Sequence, residues 1–219
     1  DNPTYIQLKK NAERLPGLVL RDSTHRRYPY GRAASHVLGY LTRVQREDLE
    51  RDPSRGDPLS QYQYNDLMGR QGLEALLEPV LRGRRGQDIR VIGSQAADQR
   101  TDPQRGRDAR TTIDIEMQVE IERLFGAVRI KYDDGTIAAG PAHGAAVVID
   151  VAGGEVLALA SAPSFDLNRF DQDYATLVGA DLNQPLLNRA TQWTAEPGST
   201  VKQIVGIAGD AAGWLPVSA

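Results

Sequence analysis

Two apolar runs, Ala145–Asp150 and Glu155–Ala160, face each other across Val151-Ala152-Gly153-Gly154. That pattern predicts a β-hairpin, because glycines supply the positive φ a tight reversal needs. Both runs are almost continuously apolar, so the hairpin is expected to be buried on both faces. A two-stranded hairpin is marginal in water by itself, so neighbouring elements must cover it. Upstream, Asp114 is placed to cap a helix whose buried face is Met117, Ile121, Leu124, Phe125 and Val128. Downstream, Val201, Ile204, Val205, Ala208 and Ala212 share one side of another helix, with Gly213 placed to end it. The expected class is α+β.

The 219 residues suffice for one large or two small domains. Residues 1–110 differ in texture, with Arg, Gly and polar turns between short apolar runs. Leu18–Leu20 and Val37–Leu41 read as short strands, and Arg51–Gln63, with Pro53 and Pro58, reads as a loop. Leu73, Leu76, Leu77, Val80 and Leu81 follow the spacing of one buried helix face, which Pro79 should kink or bring to its end and Gly83 should stop. The expected domain boundary falls in the Asp98–Arg110 stretch, a linker or loop, giving domains of 1–110 and 111–219. Tyr132–Ala142 is a loop with no assigned role.

Composition of 40% apolar and 25% charged residues fits a soluble protein with a real core. The net charge of -3 gives no reason to expect nucleic acid as partner. Arginine clusters at Arg26–Arg27, Arg82–Arg85 and Arg105–Arg110 are expected to be solvated loops. With no cysteine there is no disulfide, thiolate metal site or cysteine nucleophile. No stretch reaches the ~20 apolar residues of a membrane span, and no signal peptide opens the chain. Any anchor of a parent protein is expected to lie outside these residues.

The segment that carries chemistry is Glu196-Pro-Gly-Ser-Thr-Val-Lys202. Pro197 and Gly198 turn the chain, and Ser199 opens a helix whose free amides favour developing negative charge. Lys202 lies three residues on, on the same helical face. A serine hydroxyl becomes a nucleophile when a base within hydrogen-bond reach takes its proton. A lysine serves as that base when burial or a nearby cation lowers its pKa. The Ser199 amide would supply one oxyanion donor. The chain has only four lysines, so its own usage does not predict one here. Serine at a helix start is also ordinary capping, and context decides between the two readings.

Glu196–Lys202 resembles the active-site box of penicillin-binding proteins. Arg110–Gln118 resembles the entry to their transpeptidase domain, Ala145–Pro163 its first hairpin, and Ser164–Asn168 and Pro185–Ala190 segments that precede the active-site helix. Tyr28–Gly31, His36–Tyr40, Gly69–Glu74 and Leu81–Gly86 resemble the non-catalytic pedestal, or dimerisation, domain of class B members, the elongation-type branch above all. The resemblance implies a peptidoglycan D,D-transpeptidase. Ser199 would be acylated by the penultimate D-alanine of a stem peptide, Lys202 would deprotonate it, and β-lactams would acylate the same serine. It further implies an extracytoplasmic, periplasmic location on an inner-membrane anchor, with a membrane glycosyltransferase and a coiled-coil scaffold protein as partners. No cofactor is implied. The family's Ser-x-Asn and Lys-Thr-Gly boxes are not present. The chain ends 17 residues after Lys202, so this polypeptide alone is not expected to turn over. Two alternatives remain: a non-catalytic docking platform for elongation partners, and a serine β-lactamase or β-lactam sensor, against which the pedestal motifs argue.

Other candidates carry less. His25, His36 and His143 are too scattered for a metal site. Arg82–Gln87 has glycines but lacks the Gly-Lys-Ser/Thr of a phosphate loop. Asp150 and Glu155 read as turn solvation, and Trp193 and Trp214 as core or lip packing.

Overall fold

The computed structural model describes residues 3–11, 14, 26–89, 99–129, 131, 133–137, 142–194, 196 and 198–213. In chain order these form α1 (Pro3–Asn11), α2 (Ser35–Leu38), β1 (Leu41–Arg43), α3 (Arg46–Glu50), β2 (Leu67–Gly69), α4 (Gly72–Leu76) and α5 (Glu78–Leu81). There follow β3 (Gln87–Ile89), β4 (Gln99–Thr101), α6 (Ile115–Ala127), β5 (Gly144–Ile149), β6 (Val156–Ala162), α7 (Phe170–Val178), α8 (Arg189–Gln192) and α9 (Val201–Ala211). The strands pair as three antiparallel ribbons, β1–β2, β3–β4 and β5–β6. The mixed α+β class expected from the sequence is what forms.

The 145–160 hairpin is present, with Gly144 opposite Ala162 and Ala146 opposite Ala160. Asp150 builds its turn, accepting the Gly153 amide on Oδ2 at 2.6 Å and the Gly154 amide on its carbonyl at 2.8 Å. Burial on both faces holds only in part. The inner positions of β6 are buried, whereas β5 alternates and leaves Val147 and Ile149 exposed. Apolar composition reports capacity for burial; the alternation reports which face has a neighbour.

Asp114 caps α6, its Oδ1 accepting from the Glu116 and Met117 amides at 3.0 and 3.1 Å. The buried stripe is rotated from the expected one. Gln118 is fully buried while Leu124 and Val128 are exposed. The cause is a polar contact that periodicity cannot register. The Gln118 side chain donates to the Leu159 carbonyl at 3.0 Å and accepts the Leu159 amide at 2.8 Å, closing the open edge of β6. Asp114 and Thr112 bind the Leu157 and Val156 carbonyls on the same strand.

Three expectations in the N-terminal part need correction. Val37 and Leu38 lie in α2, not in a strand; Gly39, at φ 78°, breaks the chain before β1 begins at Leu41. A Cβ on Gly39 would stand 1.7 Å from the Gln71 carbonyl oxygen, so only glycine lets these backbones meet. The 73–81 pattern is divided at Leu77 with Pro79 in the first turn of α5, as its fixed φ favours. Its buried residue is Glu74, however, and Leu76 is 73% exposed. Finally, the Asp98–Arg110 stretch is not all loop, since β4 pairs with β3. Leu18–Leu20 lies outside the described residues.

The arginine clusters at 26 and 82–85 are not simply solvated. Arg26 donates to Glu74 at 2.7 Å, Arg84 pairs with Asp57 at 3.1 Å, and Arg85 pairs with Asp66. The Arg82 guanidinium lies 3.4 Å over the Tyr62 ring. The 105–110 cluster is exposed as expected, with Arg105 pairing with Asp108 at 2.9 Å.

The principal core joins distant parts of the chain. Phe165, Leu167 and Phe170 are buried together, with Tyr28, Leu38, Tyr40, Leu177 and Leu186 packed around them. Tyr40 stacks on Phe170 at 4.1 Å between ring centroids, and His36 meets Phe165 edge-on at 5.2 Å.

Candidate active site

Gly198–Thr200 forms a 3-10 turn that runs directly into α9. Gly198 turns the chain at φ 53°, and Thr200 then has helical geometry, φ -62° and ψ -29°, so the 3-10 turn leads straight into α9. In a 3-10 turn residues three apart eclipse, and in an α-helix they are neighbours. The backbone therefore puts Ser199 and Lys202 on the same side of the helix start. Both are exposed. The first-turn amides have no i-4 carbonyl within the helix, so they are available to an incoming anion. The helix ends as expected, with Ala212 as C-cap and Gly213 at φ 69°. Its apolar face, Ile204, Val205 and Ile207, is exposed.

The approach to Ser199 is built in detail. Asn188 caps α8, its Oδ1 accepting the Ala190 amide at 3.1 Å. Arg189 donates to the Gln184 and Asn183 carbonyls at 3.1 and 2.7 Å. Its own amide donates to Ser161 Oγ at 2.9 Å, and that hydroxyl donates to the Leu187 carbonyl at 3.1 Å. Segment 183–192 is thus stitched to the end of β6.

Sequence reasoning missed the polar residues that fix this region against residues 26–40. His36 is 3% exposed, and its Nε2 donates to the Pro185 carbonyl at 2.8 Å. Burial pushes its pKa down, with the carbonyl contact opposing and the Arg189 charge reinforcing that shift. Asn188 Nδ2 donates to the His36 carbonyl at 3.4 Å. Asn168 exchanges two hydrogen bonds with the Tyr28 backbone, at 2.8 and 3.0 Å. Glu122 Oε1 accepts from the Ala34 amide at 2.8 Å and from Gln118 Nε2 at 2.7 Å. Burial pushes the Glu122 pKa up, opposed by Gln118, Ala34, Ser164 and Arg32. Only the Gln118/Glu122 spacing of four residues hinted at such a pair.

Of the other candidates, His143 and Trp193 are exposed. His25 and Trp214 lie outside the described residues. Among the described residues no group of three His, Cys, Asp or Glu is placed to hold a metal, and no helix is long and apolar enough to cross a membrane. Two shallow clefts of about 280 and 230 Å³, lined by residues 46–64 and 79–107, belong to the N-terminal part.

A ribbon-rich N-terminal part, a capped helix and hairpin, and a Ser-x-x-Lys helix define a recognisable class. The family model "Penicillin-binding Protein dimerisation domain" matches residues 1–111, and "Penicillin binding protein transpeptidase domain" matches residues 144–216. The chain belongs to the penicillin-binding protein family, as a dimerisation domain followed by the start of a transpeptidase domain. Similar proteins include members of the penicillin-binding protein 2 branch. Peptidoglycan D,D-transpeptidase MrdA of Escherichia coli K12 is 35% identical over 98% of this chain and 33% of its own. MrdA of Haemophilus influenzae is 32% identical over 90% of this chain and 29% of its own. PBP2 of Helicobacter pylori, solved in complex with MreC, superposes with a TM-score of 0.75 at 27% identity, over 98% of this chain and 37% of that one. PBP2 of Pseudomonas aeruginosa in complex with WCK 5153 gives 0.65 at 30% identity, over 91% and 38%. The chain thus spans about a third of the length of these relatives.

Proposed function

We propose that the parent protein is a peptidoglycan D,D-transpeptidase of cell elongation, with Ser199 as nucleophile and Lys202 as its base. The observation that carries this reading is the 3-10 turn holding Ser199, which leads directly into α9 with Lys202 three residues on, the spacing of neighbours on one helical face. Ser199 Oγ attacks the carbonyl of the penultimate D-alanine of a stem peptide while its proton passes to Lys202 Nζ. The terminal D-alanine leaves with a proton, giving a seryl ester. The amine of a second stem peptide then displaces the serine and forms the cross-link. A β-lactam carbonyl takes the place of the first substrate. The family's Ser-x-Asn and Lys-Thr-Gly boxes do not occur in these 219 residues. The domain boundary falls near residue 110.

The same reading puts the protein outside the cytoplasm on an inner-membrane anchor, in company with a membrane glycosyltransferase and a scaffold protein. The H. pylori relative solved with MreC supports the scaffold partner. The test is labelling of the full-length parent with a fluorescent penicillin. Label should sit on Ser199, vanish in Ser199→Ala, and form 10²–10⁴-fold more slowly in Lys202→Ala, roughly the worth of a positioned base. An unlabelled parent would sink the enzyme reading and leave the docking platform. Labelling followed by release within seconds would indicate a β-lactamase.

A further inference from the structure

The segment that precedes the serine-bearing turn in the chain is gripped directly by the N-terminal part. Residues 26–40 form a strap anchored at both ends. On the N-terminal side, Arg26 and the Tyr28 hydroxyl both donate to the buried Glu74 of α4, at 2.7 and 3.3 Å. Gly39 lies against the backbone of residues 71–72, closer than any side chain allows. On the other side the strap meets three elements of the transpeptidase part, at Asn168, Glu122 and Pro185. The third contact differs in kind. Asn168 precedes α7 and Glu122 lies in α6, both upstream of the final approach. Pro185 stands four residues before α8, and Ser199 follows seven residues after α8 ends.

We propose that His36 is a positioning residue for Ser199, acting through the Pro185 carbonyl and α8. A carbonyl only accepts, so Nε2 carries the imidazole proton and His36 is the donor. The contact is buried, and breaking it strands a carbonyl that water does not easily reach. The Asn188 bond to the His36 carbonyl closes a loop of contacts in which α2 and the start of α8 fix one another. Arg189 then ties the same turn to itself and to β6. Movement of α2 is therefore passed to segment 183–192, and a nucleophile displaced by even about 1 Å loses much of its rate. The dimerisation part thereby sets how well the serine is presented.

This inference rests on the acyl-serine reading, and the test separates the two. In the 219-residue chain, His36→Ala should speed amide hydrogen exchange of residues 186–192 about ten-fold and leave β5–β6 unchanged. In the full-length protein it should slow the acylation step about ten-fold, with the preceding non-covalent penicillin affinity little altered. His36→Gln, whose amide reaches the same carbonyl, should restore both. His36→Asn, which falls short of it, replaces alanine where that variant does not fold. An acylation step equal to wild type in His36→Ala or His36→Asn overturns the proposal, as does a lowered melting temperature without a change in that step. A wild-type parent that takes no label overturns the acyl-serine reading itself, and the positioning role with it.

Discussion

At the scale of single residues, polar side chains rather than apolar ones fix how this chain is joined. Glu122 shows the consequence most sharply. Its Oε1 is used twice, while its Oε2 is buried without a partner among the described residues. The folded chain therefore holds the Glu122 proton to a pH above the ordinary value of 4.5. Between 4.5 and that raised value the folded state binds more protons than the unfolded one, so stability falls as pH rises through the window. Glutamine does not titrate, so Glu122→Gln should gain on wild type as pH goes from 4.5 to 7.5. His36 acts in the opposite sense: its pKa is lowered, so it costs stability as pH falls below 6.5. It is common to both proteins and cancels in their difference. Paired thermal melts read the effect, and a gap that stays constant with pH would contradict the assignment.

At the scale of elements, the legible features were those in which one local cause dominates. The Asp114 cap, the Asp150 turn, the break at Leu77 before Pro79 and the Gly213 stop are each set by residues next to the feature they create. The strand assigned to Val37–Leu41 went wrong because β-branched and aromatic content cannot reveal that Gly39 must meet Gln71. The α6 face was misread because Gln118 outweighs Leu124 by bonding a strand edge 41 residues away. The helix start that carries Ser199 and Lys202 was legible from local sequence, whereas His36, Asn168 and Glu122 were not, since their partners lie more than 80 residues distant. α9 is the opposite case, a helix that follows its pattern but buries none of its residues. Helices of this length are marginal without tertiary contacts. In this 219-residue chain, α9 amides should exchange at close to unprotected rates while those of α6 are slowed. Equal protection of the two would show that α9 has packing partners.

At the scale of the whole molecule, the two family-model matches, 1–111 and 144–216, do not correspond to two separate cores. Tyr28, Leu38 and Tyr40 from the first pack on Phe165, Leu167 and Phe170 from the second, and the Tyr40–Phe170 stack lies at their centre. A core that draws side chains from both matches ties their stability together, and the strap's hydrogen bonds to Asn168, Glu122 and Pro185 reinforce the coupling. Truncating Phe170 to alanine removes an aromatic from this cluster and should cost about 3–5 kcal/mol. Exchange should then accelerate in β1–β2 as well as in β5–β6, although Phe170 belongs to neither ribbon. Were the parts independent, Leu41–Arg43 would keep its protection while β5–β6 lost its own. Joint acceleration is the outcome expected of one cooperative unit.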